Sequence, residues 1–117
     1  MRIAADAAIA IVALLHLLFL WLEMFQWTKP RGRRVFGLSS ELAEQTKALA
    51  ANQGLYNGFL AAGLVWGLVS DQTDVKLFFL ACVIVAGAYG AATVSSRILL
   101  VQALPAALAL VAVLVAG

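Results

Sequence analysis

Charge is scarce in this sequence: eight basic and six acidic residues amount to 12% of 117 positions, where a soluble domain gives about a quarter of its chain to charged side chains. That shortage excludes an ordinary water-soluble domain. The basic residues are also too few and too locally placed to follow a nucleic-acid backbone, so no nucleic-acid partner is expected. Cysteine is nearly missing, and Cys82 alone cannot close an intramolecular disulfide. Histidine occurs once, at His16. One imidazole with one carboxylate seven positions away falls short of the ligand count of a zinc or di-iron site, so neither a metal nor any other cofactor is expected. Proline occurs only at Pro30 and Pro105, and there is no internal repeat.

What fills the chain is hydrocarbon: 64% of residues are hydrophobic and the mean hydropathy is +0.99. A helical span needs about 20 apolar residues to cross about 30 Å of bilayer, so the chain has room for four spans and little else. The expected architecture is all-α, a single integral membrane four-helix bundle over residues 1–117. Its spans fall at about 3–27, 49–69, 75–94 and 98–116, with a polar loop at 28–48. The first segment is too long for a secretory h-region, and bulky basic residues come after it, so it reads as an uncleaved span. Pro30 helps to end it. Ser39 and Ser40 ahead of Glu41 and Glu44 read as a helix start, placing the beginning of the second helix at about Glu41, outside the hydrocarbon. Ser70 to Asp74 form the next turn. Ser95, Ser96 and Arg97 mark the last one, without glycine or proline. Pro105 leaves the carbonyl of Val101 without its usual donor and should bend the fourth helix.

Six of the eight basic residues, Lys29, Arg31, Arg33, Arg34, Lys47 and Arg97, fall on one side of this arrangement. Short loops rich in lysine and arginine stay cytoplasmic, so both termini are expected outside.

The first span carries His16 and Glu23, which share a helical face at about 100° per residue. Gln53 and Asn57 share a face of the second helix, and Tyr89 and Thr93 a face of the third. Glu23, level with Gln53, and Tyr89 and Thr93 fall in the half of the bundle nearer the basic loop, and His16 lies near mid-bilayer, about level with Asn57 or slightly beyond. Ionisable residues inside a span are costly and usually face an interior or a water-filled cavity, so these six are the expected lining of one internal polar pocket open to the cytoplasm. The plainer alternatives are packing: His16 as an interhelical hydrogen-bond donor, Glu23 snorkelling or pairing with Arg31 or Arg34, Gln53 and Asn57 as interhelical glue. Two G-x-x-x-G spacings, Gly54/Gly58 and Gly63/Gly67, lie on roughly opposite faces of the second helix and predict close approach of neighbours on two sides. Gly87, Gly90, Ala91 and Val94 give the third helix a small-residue face opposite its polar one.

The run EMFQWTKPRGRRVFGLSSELAEQTKALAANQGLYNGFLAAGLVWG, Glu23 to Gly67, resembles the signature of a bacterial family of small four-span proteins known as domain of unknown function 1304, and the similarity extends over essentially the whole chain. The resemblance implies a multi-pass protein of the bacterial cytoplasmic (inner) membrane with no established activity. Members of that family often carry an acidic residue just before the first-helix histidine. Here Leu15 stands there, which weighs further against a metal or tightly paired acid site. Two functional classes stay open: binding or transport of a small molecule in the polar pocket, and an enzyme acting on a lipid-like substrate. Against both stands a structural or partner-stabilising subunit with no site of its own. Membrane lipid is an expected partner, and a second copy of the chain stays open as another.

Overall fold

Helix α1 runs Arg2–Phe25 in the computed structural model, which describes residues 1–117. After it come α2 (Pro30–Phe36), α3 (Ser40–Ser70), α4 (Thr73–Thr93), a π-helical stretch over Leu99–Ala103 and α5 (Leu104–Ala116). The fold is all-α, with no strand. Three segments are long and apolar enough to cross a membrane: Arg2–Phe25, Thr73–Thr93 and Leu99–Ala116. The expected second span, 49–69, lies inside α3 but is not one of them. At 1.5 Å per residue the 31 residues of α3 reach about 46 Å, ample in length, while Asn52, Gln53 and Asn57 dilute their apolarity.

The helix starts reflect local chemistry. Ser39 caps α3, its Oγ accepting the Leu42 amide at 3.1 Å, one residue earlier than the sequence suggests. The polar stretch 28–48 holds the first turns of α3, as expected, and also the unexpected helix α2. Pro30 opens α2 in the first turn, and Gly37 closes it in the left-handed region at φ 65°, with the Leu38 amide reaching back to the Arg33 carbonyl at 2.9 Å. Proline just inside the start and glycine just past the end is the ordinary signature of a short helix. Read only as a stop for the first span, Pro30 hides it. Gly32 is obligatory for a different reason: a Cβ there would lie 1.8 Å from the Gln26 carbonyl oxygen. Gly32→Ala is therefore expected to cost about 1–3 kcal/mol, and Gly37→Asn, which suits the left-handed cap, much less. Thermal melts of the two variants in one detergent check that order.

Between α4 and the last helical segment the turn is built by serine. Val94 and Ser95 amides both reach the Gly90 carbonyl, and the Ser95 carbonyl accepts from Ile98 at 3.0 Å. The disturbance expected at Pro105 takes the form of the π register just upstream of it, where the Leu104 amide reaches Leu99. In a register that reaches five residues back, the carbonyl that faces the missing proline donor is that of Leu100, one residue earlier than in an α-helical register.

The chain divides into two compact units, residues 1–14 with 60–117, and residues 15–59. In the first, Ile9 and Val12 of α1, Leu64 of α3, Leu80 and Val83 of α4, and Ala106 and Ala109 of α5 form one buried core. Missing side chains set its helix contacts: a Cβ at Gly63 would strike the Phe79 ring at 2.3 Å, and one at Gly87 would lie 2.8 Å from the Ala103 amide nitrogen. In the second unit, Gly54 and Gly58 of α3 face α1, where added Cβ atoms would lie 2.6 Å from Met24 Cγ and 2.7 Å from Leu20 Cδ1. Both G-x-x-x-G pairs thus make the close approaches that their spacing predicts. Trp27 Nε1 donates to Thr46 Oγ1 at 3.0 Å, Phe36 lies against Trp27, and the Arg31 guanidinium sits 5.3 Å from the Trp21 ring centroid. These contacts fasten the short basic helix to the ends of its neighbours.

Candidate functional site

The polar contact of residues 15–59 is assembled by glycine. Asn57 lies between Gly54 and Gly58 on α3, and the bare backbone at Gly54, with Glu23 Cβ 3.2 Å from where its own Cβ would stand, lets α1 come close enough for the two side chains to meet. Asn57 Nδ2 donates to Glu23 Oε1 at 2.5 Å. Asn57 is buried and Glu23 half-buried. An ionised carboxylate offers about four acceptor positions, and Asn57 takes one, so the pair retains capacity for a further donor. His16 lies on the same face of α1, about 10 Å deeper at helical rise. It is fully buried, and its ring meets Phe19 edge-on at a centroid distance of 5.2 Å. The three residues grade from half-buried carboxylate to buried amide to fully buried imidazole.

Of the six residues singled out in the sequence, the structure joins Glu23 and Asn57 directly and buries His16 in the same unit. Gln53 is exposed. Tyr89 is 72% exposed and lines a shallow apolar groove on α4 with Phe78, Cys82 and Val85. Thr93, also exposed, returns its hydroxyl to the Tyr89 carbonyl at 2.7 Å.

Sequence reasoning passed over a second polar cluster, in the other unit. Lys76 is 4% exposed, and its ammonium donates to Asp6 Oδ1 of α1 and to Asp71 Oδ1 of the α3–α4 turn, each at 2.9 Å. Arg2 pairs with the other oxygen of Asp71. The signal was present: Asp6 stands inside the first apolar run and Lys76 within the first turn of α4.

An all-α chain with three helices fit to cross a membrane, and with polar side chains meeting between its helices, belongs to the class of small helical proteins with candidate transmembrane segments. Within that class it is a member of the family described as "Protein of unknown function (DUF1304)", which it matches over residues 10–114. It is 32% identical over 105 residues to "Uncharacterized protein YpaA" of Lactococcus lactis subsp. lactis (strain IL1403), an alignment covering 86% of this chain and 88% of the relative. No solved structure matches it.

Proposed function

We propose that the protein is a four-span protein of the bacterial inner membrane that binds or transports a small polar molecule at Glu23 and Asn57, with His16 at the inner end of the site. The observation that carries this reading is the Asn57–Glu23 hydrogen bond between two helices in apolar surroundings. A carboxylate placed there is expensive, and it keeps acceptor positions that the amide does not use. Its half-exposure gives a ligand a way in. The basic loop after α1 supports entry from the cytoplasm, with both termini outside. In this reading α3 is the fourth span, its glycines and Asn57 turned to helical partners and its first turns extending past the hydrocarbon.

A structural reading has an observation of its own, since Gly54 and Gly58 close α1 and α3 so tightly around the polar pair that it could serve as interhelical glue. Extraction separates the two. Protein purified in mild detergent should release a small molecule, seen by mass spectrometry of the organic and aqueous extracts, that is lost from Glu23→Gln, a variant that preserves shape and hydrogen bonding to Asn57. Identical extracts from parent and variant would favour glue. The topology has a separate check in a Cys82→Ala background: cysteine at Thr28 should resist an impermeant reagent added outside intact cells, while cysteine at Gln72 should react. The opposite pattern would invert the orientation.

A further inference from the structure

The Lys76 cluster lines a concavity of about 240 Å³ bordered by Arg2, Asp6, Asp71, Thr73, Lys76 and Val113. We infer that this concavity binds a zwitterionic phospholipid headgroup bearing a phosphate and a primary amine, as in an ethanolamine lipid. This rests on the reading of α1, α4 and Leu99–Ala116 as membrane spans but not on any role for Glu23.

Charge arrangement selects the class. Lys76 and Arg2 are balanced by Asp6 and Asp71, with Asp71 bridging both cations through its two oxygens. An anion alone would find Arg2 but lie against two carboxylates. A cation alone would find Asp6 but lie against two basic groups. A ligand carrying both charges satisfies both: its phosphate meets the donors of Arg2 not engaged by Asp71, the remaining Lys76 N–H and the Thr73 hydroxyl, and its amine meets the second oxygen of Asp6. Size agrees. At about 30 Å³ per water the space equals roughly eight waters, enough for a headgroup and below the range of about 300–1,000 Å³ usual for drug-sized ligands. Position agrees as well, because all three candidate spans place an end here, through Arg2, Thr73 and the Val113 turn, which puts the concavity at headgroup depth.

The turn is built to hold it. Asp71 adopts a left-handed backbone at φ 52°, a conformation that aspartate reaches more readily than most residues with a side chain. Glycine would reverse the chain without strain, but it could not bridge Lys76 and Arg2.

The test is native mass spectrometry of the delipidated protein titrated with phosphatidylethanolamine, phosphatidylcholine, phosphatidylglycerol and water-soluble phosphoethanolamine. Expected is at least tenfold tighter retention of the ethanolamine lipid than of the other two lipids, the equivalent of one charge-assisted hydrogen bond, and tighter retention of that lipid than of the soluble headgroup. Arg2→Gln, at a largely exposed side chain and so harmless to folding, should lose about tenfold in retention, and Asp6→Asn should erase the preference for ethanolamine over glycerol. Equal retention of the three lipids by the parent would mean that the cluster is an ion-pair lock only. Equal binding of soluble phosphoethanolamine would replace the lipid by a soluble zwitterion. Either result overturns the proposal.

Discussion

Gly87→Leu is expected to prevent the protein from reaching a monodisperse folded state in detergent, whereas Ala107→Leu, at a half-buried position on α5, should be purified and melt close to the parent. The atoms opposing a new Cβ at Gly87 are the Ala103 Cβ and amide nitrogen at 2.8 Å and its Cα at 3.0 Å. Backbone cannot turn aside as a side chain can, so the helices would have to separate, and the buried contacts on either side would be lost with them. Overpacking usually costs about 1–3 kcal/mol, and a leucine against backbone belongs above that range. Alanine scanning sharpens the point. Gly87→Ala should lower the melting temperature clearly, while Gly58→Ala should be milder, because the atom it meets is the flexible end of Leu20. Gly58→Leu exceeds what a rotamer change can absorb and should again be worse than Ala107→Leu. Equal losses across these variants would show that close glycine contacts do not set the helix spacing.

The second large effect is expected at Lys76. Lys76→Met keeps the aliphatic stem, on which Gly67 packs with only 3.0 Å between its would-be Cβ and Lys76 Cγ, and removes the ammonium. Asp6 and Asp71 then share a concavity with Arg2 as the one remaining cation among them. Breaking a buried ion pair by deleting one partner typically costs about 3–5 kcal/mol. Because Asp6 and Asp71 keep part of their exposure to solvent, the lower end of that range, about 3 kcal/mol, is the expected loss. Adding Asp6→Asn to Lys76→Met should recover part of it, since the uncompensated charge is what destabilises the single variant. A double variant no better than the single would mean that the loss comes from packing around the stem.

These two sites mark the boundary of what the sequence discloses. Apolar run length and serine or glycine punctuation are local signals, and they place the ends of α1, α3 and α4 within one or two residues. The spacing of Gly54, Gly58, Gly63 and Gly67 likewise names the contact faces, because any close helix pair needs small residues in contact. Helix α2 was hidden because Pro30 serves equally well to terminate the first span and to open a new helix. The residues of the candidate site were legible as polar groups, not as contacts. Glu23, Asn57 and His16 stand out as polar groups in apolar runs, but face and depth alone also drew in Gln53, Tyr89 and Thr93, which are exposed. Helical phase says that residues share a side without saying what lies opposite that side. The Lys76 cluster escaped for the converse reason: each of its members lies at a helix end, where charge is commonplace, and only the folded chain brings Asp6 within reach of a lysine 70 positions away.

Whether Glu23 is a ligand-accessible carboxylate or sealed interhelical glue decides the proposed function. It is tested most directly by treating the folded protein in a bilayer with dicyclohexylcarbodiimide, a carboxyl-coupling reagent that partitions into hydrocarbon, and locating the adduct by peptide mass mapping. For an accessible carboxylate, an adduct is predicted on the peptide containing Glu23 in the folded protein, and its loss in Glu23→Gln. A Glu23 that stays unmodified in the folded protein and reacts only after denaturation would contradict that reading.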